Sequence, residues 1–458
     1  MKKNVWTQYQ EDDVHKLEDL CDSYREFLSV SKIEREVVSH SISLAEEKGF
    51  RNLNYYIENQ ISLHVGDKVY VNNRGKSLAL FVIGEEDITK GINILGAHVD
   101  SPRLDLKANP LYEEKGLAYL DTHYYGGIKK YQWLTLPLAL HGVVVKKSGE
   151  VISVVIGEDG TDPVVGITDL LPHLGSEQLK KEASKFIEGE KLDVLIGSRP
   201  FGEKEDDAVK ASILNILKDK YDIEEDDFLS AEIEVVPAGA ARNFGLDSSM
   251  IMAYGQDDKV CAYTSLKAFL DVSQCSRTIS CILVDKEEIG SVGATGMESS
   301  FYEDALLEIC HLLGHPENTA VPRCLSHSFM LSSDVNAAYD PLYSDVMDDN
   351  NSSYFNQGVV FCKYTGSRGK SGSNDANAEY LAKIRNIMDQ NHVFFQISEL
   401  GKVDAGGGGT IAYILANKNV NVVDCGVGVL SMHAPWEVTA KSDIYEAYKC
   451  YLAFLKDA

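Results

Sequence analysis

The sequence predicts an α/β protein built on a mostly parallel sheet with helices on both faces. Three apolar runs, "TISCILVD", "HSFMLSSD" and "NVVDCGVG", have the length and composition of buried strands, and helical stretches separate them. This alternation is typical of parallel sheets, whose strands are covered on both sides. A fourth apolar run, "INILGAHVD", also ends in polar residues, and we expect it in the same sheet.

The helices and a hairpin around this sheet follow from side-chain periodicity. Near the N-terminus, apolar residues recur at helical spacing, at Leu17, Leu20, Cys21, Tyr24, Phe27 and Leu28. The run "DDKVCAYTSLKAFLDV" predicts a helix with one apolar face, formed by Val260, Tyr263, Leu266, Phe269 and Leu270. The stretch "KVYVNNRGKSLALFVIG" predicts a hairpin whose turn contains Asn72, Asn73 and Gly75.

Residues 103–247 differ in character from the chain on either side. They contain a second predicted hairpin, "LHGVVVKKSGEVISVVIG", a charged helix around "EQLKKEASKFIEG" and an acidic patch, "DIEEDD". The regular alternation of strands and helices resumes only after Asp247. This change of pattern divides the chain into three stretches, 1–102, 103–247 and 248–458.

The composition excludes several classes of partner. The chain has 458 residues, and Lys+Arg 44 against Asp+Glu 70 gives a net charge of −26 at pH 7. DNA and anionic membrane surfaces repel so acidic a protein, and we expect neither nucleic acid nor a membrane as a partner. We find no apolar run of transmembrane length and no signal-peptide core. The nine cysteines are scattered singly, which is typical of reduced thiols in a cytoplasmic protein.

Residues that can bind a metal follow the predicted strands. In open α/β sheets, ligands bind at the carboxyl ends of the strands. The polar residues at those ends, or at the start of a predicted helix, are His98, Asp100, Asp257, Asp258, Glu287, Glu288, Asp334 and His433. Two histidines with several carboxylates and no cysteine suit zinc or a neighbouring divalent metal.

Each of these residues also has an ordinary structural explanation. A single histidine at a strand end is more often a packed or loop residue than a metal ligand. An Asp pair at a helix start, such as Asp257 and Asp258, is usually an N-cap. The pair Glu287 and Glu288 can be a solvated loop. However, five separate strand or helix ends would all have to be coincidences, and their joint occurrence favours a metal site.

Two local spacings strengthen the metal hypothesis. One residue separates His98 from Asp100, so both side chains point to the same face of a strand, and Asp100 can orient the imidazole. The adjacent glutamates, Glu287 and Glu288, repel each other unless a cation holds at least one of them. One glutamate that binds a metal, with a neighbour that serves as general base, accounts for both residues.

Several segments carry a resemblance to a known family, and they occur in that family's order: "AHVDSPRLDLK", "GQDDKVCAY", "VDKEEIGSVGATG", "SSDVNAAYDPLY", "GGGGTIAYILA" and "LSMHAPWEV". In these motifs the chain resembles the aspartyl aminopeptidases, di-zinc exopeptidases that include yeast vacuolar aminopeptidase I. The resemblance implies a zinc-exopeptidase-like fold and five metal ligands, which are His98, Asp257, Glu288, Asp334 and His433. It also implies that Glu287 is the general base and that Asp100 is the carboxylate behind His98.

The resemblance further implies that residues 103–247 form an inserted β-rich domain that mediates dimerisation, and that dimers assemble into a tetrahedral dodecamer. It assigns substrate binding to His173 in "LLPHL", Lys363 in "VVFCKYTG" and Gly408 in the loop "DAGGGGTI". An ordinary turn histidine, a surface lysine and a flexible turn are the respective alternatives. Two departures, the lack of a histidine in "VNAAYDP" and of a second histidine in "PHLGSEQL", put a strict preference for acidic residues in doubt.

We therefore expect a cytoplasmic, homo-oligomeric, metal-dependent aminopeptidase that removes N-terminal residues, above all Asp or Glu, from peptides. Two divalent ions per subunit, Zn²⁺ first and Co²⁺ or Mn²⁺ as alternatives, would activate a water molecule. Three alternatives remain: an aminopeptidase of broad or neutral specificity, a related di-metal hydrolase of acyl-amino acids, and a non-catalytic assembly protein on a peptidase fold. The complete set of ligands argues against the last of these.

Overall fold

The chain divides into two compact units, described here from a computed structural model that covers residues 4–202 and 206–458. Unit 1 consists of Met1–Asp100, Ala241–Met432 and Glu437–Ala458. Unit 2 consists of Ser101–Ala240 and His433–Trp436. Most of unit 2 is therefore one continuous stretch that interrupts unit 1 in sequence.

The α-helices of the described residues are, in chain order, α1 (Glu11–Val30), α2 (Glu34–Glu47), α3 (Leu53–Asn59), α4 (Ala183–Phe186), α5 (Ala208–Tyr221), α6 (Gln256–Leu270), α7 (Phe301–Leu312), α8 (Ala320–Ser326), α9 (Ala378–Gln390), α10 (Ala412–Ala416) and α11 (Lys441–Asp457). The strands are β1 (Arg51–Asn52), β2 (Lys68–Asn73), β3 (Ser77–Val82), β4 (Asn93–His98), β5 (Arg103–Glu114), β6 (Leu117–Tyr125), β7 (Leu138–Val145), β8 (Val151–Ile156), β9 (Val194–Gly197), β10 (Ala231–Pro237), β11 (Arg242–Phe244), β12 (Met250–Ala253), β13 (Ile279–Val284), β14 (Phe329–Ser333), β15 (Asn336–Ala337), β16 (Val359–Cys362), β17 (Gly366–Ser367), β18 (Phe395–Ser398), β19 (Gly407–Gly408), β20 (Asn421–Gly426), β21 (Gly428–Leu430) and β22 (Glu437–Ala440).

A nine-stranded sheet forms the centre of unit 1, in the order β1-β2-β3-β13-β4-β14-β20-β16-β18. The four apolar runs of the sequence are its central strands β13, β4, β14 and β20, and these pair in parallel. Towards the edges, β3 pairs antiparallel with β13 and with β2, and β16 pairs antiparallel with β20. The predicted α/β class is confirmed, with a mixed sheet whose four central strands are parallel and whose edge pairs β1–β2 and β16–β18 are also parallel.

Helices cover both faces of this sheet. Alternate residues of β13 enter two different apolar clusters: Cys281 and Leu283 pack into one, and Ile282 and Val284 into the other. The first cluster includes residues of α1, α2, α6, α9 and α11, and the second includes residues of α3, α7, α8 and α10. Because successive side chains of a strand point to opposite faces, the two clusters lie on opposite sides of the sheet.

The local patterns of the sequence form the elements that they predict in unit 1. The six apolar residues of the first predicted helix are all buried on α1. In the turn between β2 and β3, Gly75 has φ +70° and its N–H donates to Asn72 Oδ1 at 2.8 Å. Arg74 in the same turn is also left-handed, at φ +57°. Asparagine and glycine therefore fix this hairpin, as their turn chemistry predicts.

Unit 2 is built on an antiparallel sheet. Its six strands follow the order β8-β7-β10-β5-β6-β9, and β7 and β8 form the second predicted hairpin. The predicted charged helix around "EQLKKEASKFIEG" is wrong in its extent, since only the four residues of α4 form an α-helix there. Its apolar residues at helical spacing are poorly buried, since Leu179 is 65% exposed and Ala183 is also exposed. A helix whose apolar face is not packed gains little stability from its own hydrogen bonds.

Among the described residues, no helix is both long enough and apolar enough to cross a membrane.

A buried carboxylate ties α11 to the loop before β16. Asp443, in the first turn of α11, is fully buried and accepts hydrogen bonds from the backbone N–H groups of Asn356 at 2.9 Å and Gly358 at 2.8 Å. Burial outweighs these hydrogen bonds and raises the pKa of Asp443 to about 7. The folded chain therefore binds this proton more tightly than the unfolded chain, whose aspartates titrate near ~3.9.

We expect Asp443 to make stability depend on pH. With its pKa raised in the folded state, its contribution is largest at low pH and is lost as the pH rises towards about 7. Relative to Asp443→Asn, wild-type protein should lose roughly 2–3 kcal/mol of unfolding free energy between pH 5 and pH 8. Urea denaturation of both proteins across this range measures the difference. A constant difference between the two proteins would contradict the shift.

Candidate metal centre and active site

Three strands of the central sheet bring the candidate ligands to one edge. His98 ends β4, the Glu287–Glu288 pair follows β13, and Asp334 follows β14 directly. Because β4 pairs in parallel with both β13 and β14, the carboxyl ends of the three strands lie side by side. Asp257 joins them from the first turn of α6.

The His98 ring is the centre of this cluster. Its side chain is 1% exposed, and its Nε2 atom lies 3.1 Å from Asp257 Oδ1. The same nitrogen lies 3.9 Å from Glu287 Oε2 and 3.9 Å from Asp334 Oδ1. Three carboxylates therefore converge on one imidazole nitrogen.

Asp100 holds the other side of the His98 ring. His98 Nδ1 lies 3.0 Å from the backbone carbonyl of Asp100 and 3.3 Å from its Oδ1. The Asp100 carboxylate also accepts hydrogen bonds from the backbone N–H groups of Glu287 and Glu288, each at 3.1 Å. One buried carboxylate thus fixes both the imidazole and the backbone of the glutamate pair.

The glutamate pair sits on a tight turn that points its side chains to the cluster. A single 3-10 turn, Glu287–Ile289, lies between two left-handed residues, Lys286 at φ +70° and Gly290 at φ +96°. Ligand atoms of His98, Glu287 and Glu288 all lie within 4.8 Å of one another. The pair is partly buried against the cluster, and the solvated-loop alternative does not describe it.

Asp257 is held by a residue that sequence reasoning missed. Its backbone N–H donates to Glu437 Oε2 at 3.0 Å, and the backbone carbonyl of Glu437 accepts from Gln256 Nε2 at 2.7 Å. Glu437 is 1% exposed on β22. The peptide bond between Asp257 and Asp258 is cis. A lone carboxylate inside the apolar strand "EVTA" was the available signal.

The electrostatics of the cluster favour a cation. Burial by itself lowers the pKa of His98, but its contacts with Asp100 and Asp257 and the charge of Glu287 outweigh burial and hold the pKa well above its usual value. Burial, reinforced by the negative charge of Asp258, raises the pKa of Asp334 well above its usual value. Carboxylates that crowd together in this way repel one another.

The donor atoms fit zinc. His98, Asp257 and Asp334 offer one imidazole nitrogen and two carboxylates whose ligand atoms lie within 4.8 Å of one another. Nitrogen and oxygen donors at this spacing are those that zinc accepts in catalytic sites. The contact of His98 Nδ1 with Asp100 leaves Nε2 as the nitrogen that faces the carboxylates, as in other carboxylate–histidine–zinc sites.

His433, the last predicted ligand, belongs to unit 2. It lies three residues after the end of β21, in a left-handed conformation at φ +64°, and its Nδ1 lies 2.9 Å from the backbone carbonyl of Gly127. A side-chain carbon on Gly127 would lie 3.2 Å from that nitrogen. The ring is therefore held through Nδ1, in the same way that Asp100 holds His98.

The three predicted substrate-binding residues lie in exposed or half-exposed segments. His173 is exposed in unit 2, between the exposed residues Leu171 and Leu174. Lys363 follows β16, and its Nζ donates to Asp375 Oδ1 at 2.8 Å. Gly408 is exposed on β19. The pairing of Lys363 with Asp375 is a feature that the sequence did not indicate.

Comparison with known proteins places the chain in a family. The family model described as Aminopeptidase I zinc metalloprotease (M18) matches residues 27–455. A Clostridium acetobutylicum protein named "Probable M18 family aminopeptidase 1" is 55% identical over 456 residues, which covers 99% of this chain and 98% of the relative. The crystal structure of an M18 aminopeptidase from Thermotoga maritima is 42% identical, with a TM-score of 0.95 over 100% of each chain.

A more distant match shows the fold alone. The S. cerevisiae mApe1 dodecamer is 20% identical, with a TM-score of 0.78 over 96% of this chain and 97% of that chain.

We expect Asp100→Asn to weaken zinc binding. The variant keeps the size of the side chain but loses one of the two oxygens that accept the backbone N–H groups of Glu287 and Glu288. Loss of such a partner typically costs about 10–100-fold in metal affinity. Titration of the metal-free protein with zinc against a competing chelator measures the change.

Asp443→Asn is the matched control. Asp443, on α11, is also a buried carboxylate that accepts hydrogen bonds from two backbone N–H groups. Zinc affinity should be unchanged in this control. Equal affinities of wild-type protein and Asp100→Asn would show that Asp100 does not support the metal site.

Proposed function

The chain belongs to the M18 family of aminopeptidase I zinc metalloproteases, and we propose that this zinc aminopeptidase removes N-terminal acidic residues from peptides at a dinuclear site. The expected resemblance to the aspartyl aminopeptidases is confirmed at the level of the family, as is the expected class of enzyme. The observation that carries the proposal is the convergence of Asp257, Glu287 and Asp334 on His98 Nε2.

We propose two zinc ions per subunit, held by His98, Asp257, Glu288, Asp334 and His433. His98 with Asp257 and Asp334 already supplies the three protein ligands that one catalytic zinc takes, and Glu288 is a further carboxylate within 4.8 Å of the His98 ligand atom, which supports a second ion. Asp257 is the ligand that we propose to be shared. His433 enters the proposal through its motif, "LSMHAPWEV", and through the contact of its Nδ1, which leaves Nε2 for a metal.

Glu287 is the proposed general base. When bound, zinc lowers the pKa of a water molecule and stabilises negative charge on the peptide oxygen. The Glu287 carboxylate would accept the proton of that water and deliver it to the leaving amine. Its backbone is fixed by Asp100, and its Oε2 lies 3.9 Å from His98 Nε2. A base on a fixed turn needs no rearrangement before it accepts the proton.

The proposed acidic preference needs a positive group in a chain of net charge −26. Lys363 and His173 are the proposed partners of a substrate carboxylate. Asp375 already accepts hydrogen bonds from Lys363 at 2.8 Å and, through its other oxygen, from Lys370 at 2.9 Å. Together, Lys363, Lys370 and Asp375 carry a net charge of +1, which supports attraction of an anionic substrate side chain. Asp375 competes with that side chain for Lys363.

We also propose a cytoplasmic, homo-oligomeric protein. The described cysteines, nine in number, are all free thiols, and eight of them are buried, which suits a reducing compartment. The yeast relative mApe1 forms a dodecamer, and we propose the same assembly here, with the inserted stretch 103–247 as the dimerisation domain. The exposed apolar residues beside His173 support a surface that another subunit covers.

We expect Glu287→Gln to retain zinc and to lose most turnover. The amide keeps the size and the backbone hydrogen bond to Asp100 but cannot accept the proton of water. General acid–base catalysis is worth roughly 10²–10⁴-fold, and kcat should fall by that factor. Steady-state hydrolysis of a peptide and zinc analysis of the same sample measure both quantities.

Glu298→Gln is a suitable control, because Glu298 accepts a hydrogen bond from Tyr413 and lies outside the metal-binding groups. It should leave kcat near that of wild type. A Glu287→Gln enzyme with full activity and full zinc content would remove Glu287 from the proton transfer.

A substrate panel tests the acidic preference. Wild-type protein restored with Zn²⁺, Co²⁺ or Mn²⁺ should cleave peptides that begin with Asp or Glu faster than those that begin with Leu or Lys. Lys363→Met should lower kcat/KM for the acidic peptides about tenfold or more, since it removes a charge-assisted hydrogen bond. Its effect on Leu peptides should be small.

Lys370→Met is the matched control, because Lys370 donates a hydrogen bond to the other carboxylate oxygen of Asp375. If peptides that begin with Leu or Lys are cleaved faster than acidic ones, the proposed acidic preference is wrong, but the aminopeptidase activity stands. Cleavage of acyl-amino acids alone would favour the deacylase.

A further inference from the structure

The glycine-rich loop that contains Gly408 follows a path that close backbone contacts set. A side-chain carbon on Gly406 would lie 2.0 Å from the backbone carbonyl oxygen of Leu400, and one on Gly407 would lie 2.6 Å from that of Gly366. Gly407 also has φ +139°. Glycine is needed here because the chain approaches other backbone too closely for a side chain. These contacts shape the loop, but they do not attach it to the central sheet.

The attachment is made at the end of the loop by two neighbouring residues. Ile411 is fully buried, and its Cδ1 lies 3.6 Å from where a side-chain carbon on Gly96 would be, on the strand that carries His98. Thr410 donates its hydroxyl to Asp424 Oδ1 at 2.6 Å. The first contact is apolar and tolerates rotation, whereas the second is directional and fixes how the backbone of the loop leaves the sheet.

Asp424, which accepts this hydrogen bond, lies on a strand inside the central sheet. It is 2% exposed on β20, where it pairs with Ser332 of β14 on one side and with Cys362 of β16 on the other. The first strand leads to Asp334 and the second to Lys363. Among the residues that the structure describes, the second oxygen of Asp424, Oδ2, is buried without a hydrogen-bond partner. Thr410 is therefore the side chain that satisfies this carboxyl group.

The contact lies within electrostatic reach of the proposed base. Burial, aided by the negative charge of Glu287, raises the pKa of Asp424 to about 7 against the opposing effect of Thr410. The pKa of Tyr413, on the first turn of α10 beyond the loop, is raised to about 12 by its hydrogen bond to Glu298 and by burial, with a further contribution from the charge of Glu287.

We propose that Asp424 is a positioning residue that holds the glycine-rich loop 404–411, through the hydroxyl of Thr410, in the path that lines the substrate site. The role of the loop in substrate binding rests on the proposed function, whereas the attachment of the loop to the sheet is measured separately. It explains why a threonine ends the run of four glycines: without this hydrogen bond, the end of the loop loosens from the sheet and the loop fluctuates more.

The test uses Thr410→Val and Thr410→Ser in the full-length, zinc-loaded protein. Valine has nearly the same volume without a hydroxyl, and serine restores the hydroxyl. For Thr410→Val we expect hydrogen–deuterium exchange of amides 404–409 to accelerate about tenfold, from the loss of a hydrogen bond to a buried acceptor. KM for a peptide substrate should rise about three- to tenfold, with zinc content and kcat little changed. Thr410→Ser should behave as wild type in all four quantities.

Two results would overturn the proposal. One is exchange of the loop in Thr410→Val at the wild-type rate, whatever the kinetics. The other is equal acceleration in Thr410→Ser, because the hydroxyl would then be irrelevant. A wild-type protein without peptidase activity would remove the proposed function, and the exchange rates of the two variants would still decide whether Thr410 fixes the loop.

Discussion

The convergence of buried carboxylates on His98 Nε2 is the constraint on which the rest of the site depends. Asp257, Glu287 and Asp334 all lie within 3.9 Å of that atom, and their side chains are buried or partly buried. Carboxylates in such a place destabilise the fold unless a cation compensates them. The family's zinc provides that positive charge, so that folding of this edge of the sheet is coupled to binding of the metal.

Backbone hydrogen bonds hold this edge of the sheet in place. Asp100 accepts the N–H groups of Glu287 and Glu288, and Glu437 accepts that of Asp257. Each buried carboxylate thus fixes the backbone that carries a proposed ligand or the proposed base, and the backbone sets the direction of that side chain. Supporting residues of this kind keep the ligands in place while the charges repel one another.

These facts also show how far the sequence can lead. The ligand-bearing strands are recognisable because buried parallel strands are continuously apolar and end in polar residues, as β4 does at His98. His98 and Asp100 are predictable as a pair because alternate residues of a strand share a face. Glu437 and Asp375 were not predictable, because their partners come from distant parts of the chain. The predicted helix at 177–189 is wrong in its extent, because apolar residues at helical spacing such as Leu179 remain exposed, and without packing they do not stabilise a helix.

The pairing of Lys363 with Asp375 bears on specificity in a way that the sequence could not reveal. If Lys363 binds the substrate carboxylate as proposed, its ammonium, which has three N–H donors, shares them between Asp375 and the substrate. Asp375 therefore reduces the affinity that Lys363 gives to an acidic substrate but does not cancel it. With a neutral N-terminal residue, Lys363 keeps Asp375 as its partner, and no charge is left unpaired. Selectivity that arises in this way is graded and not absolute, because rejection requires an unsatisfied group in the wrong complex.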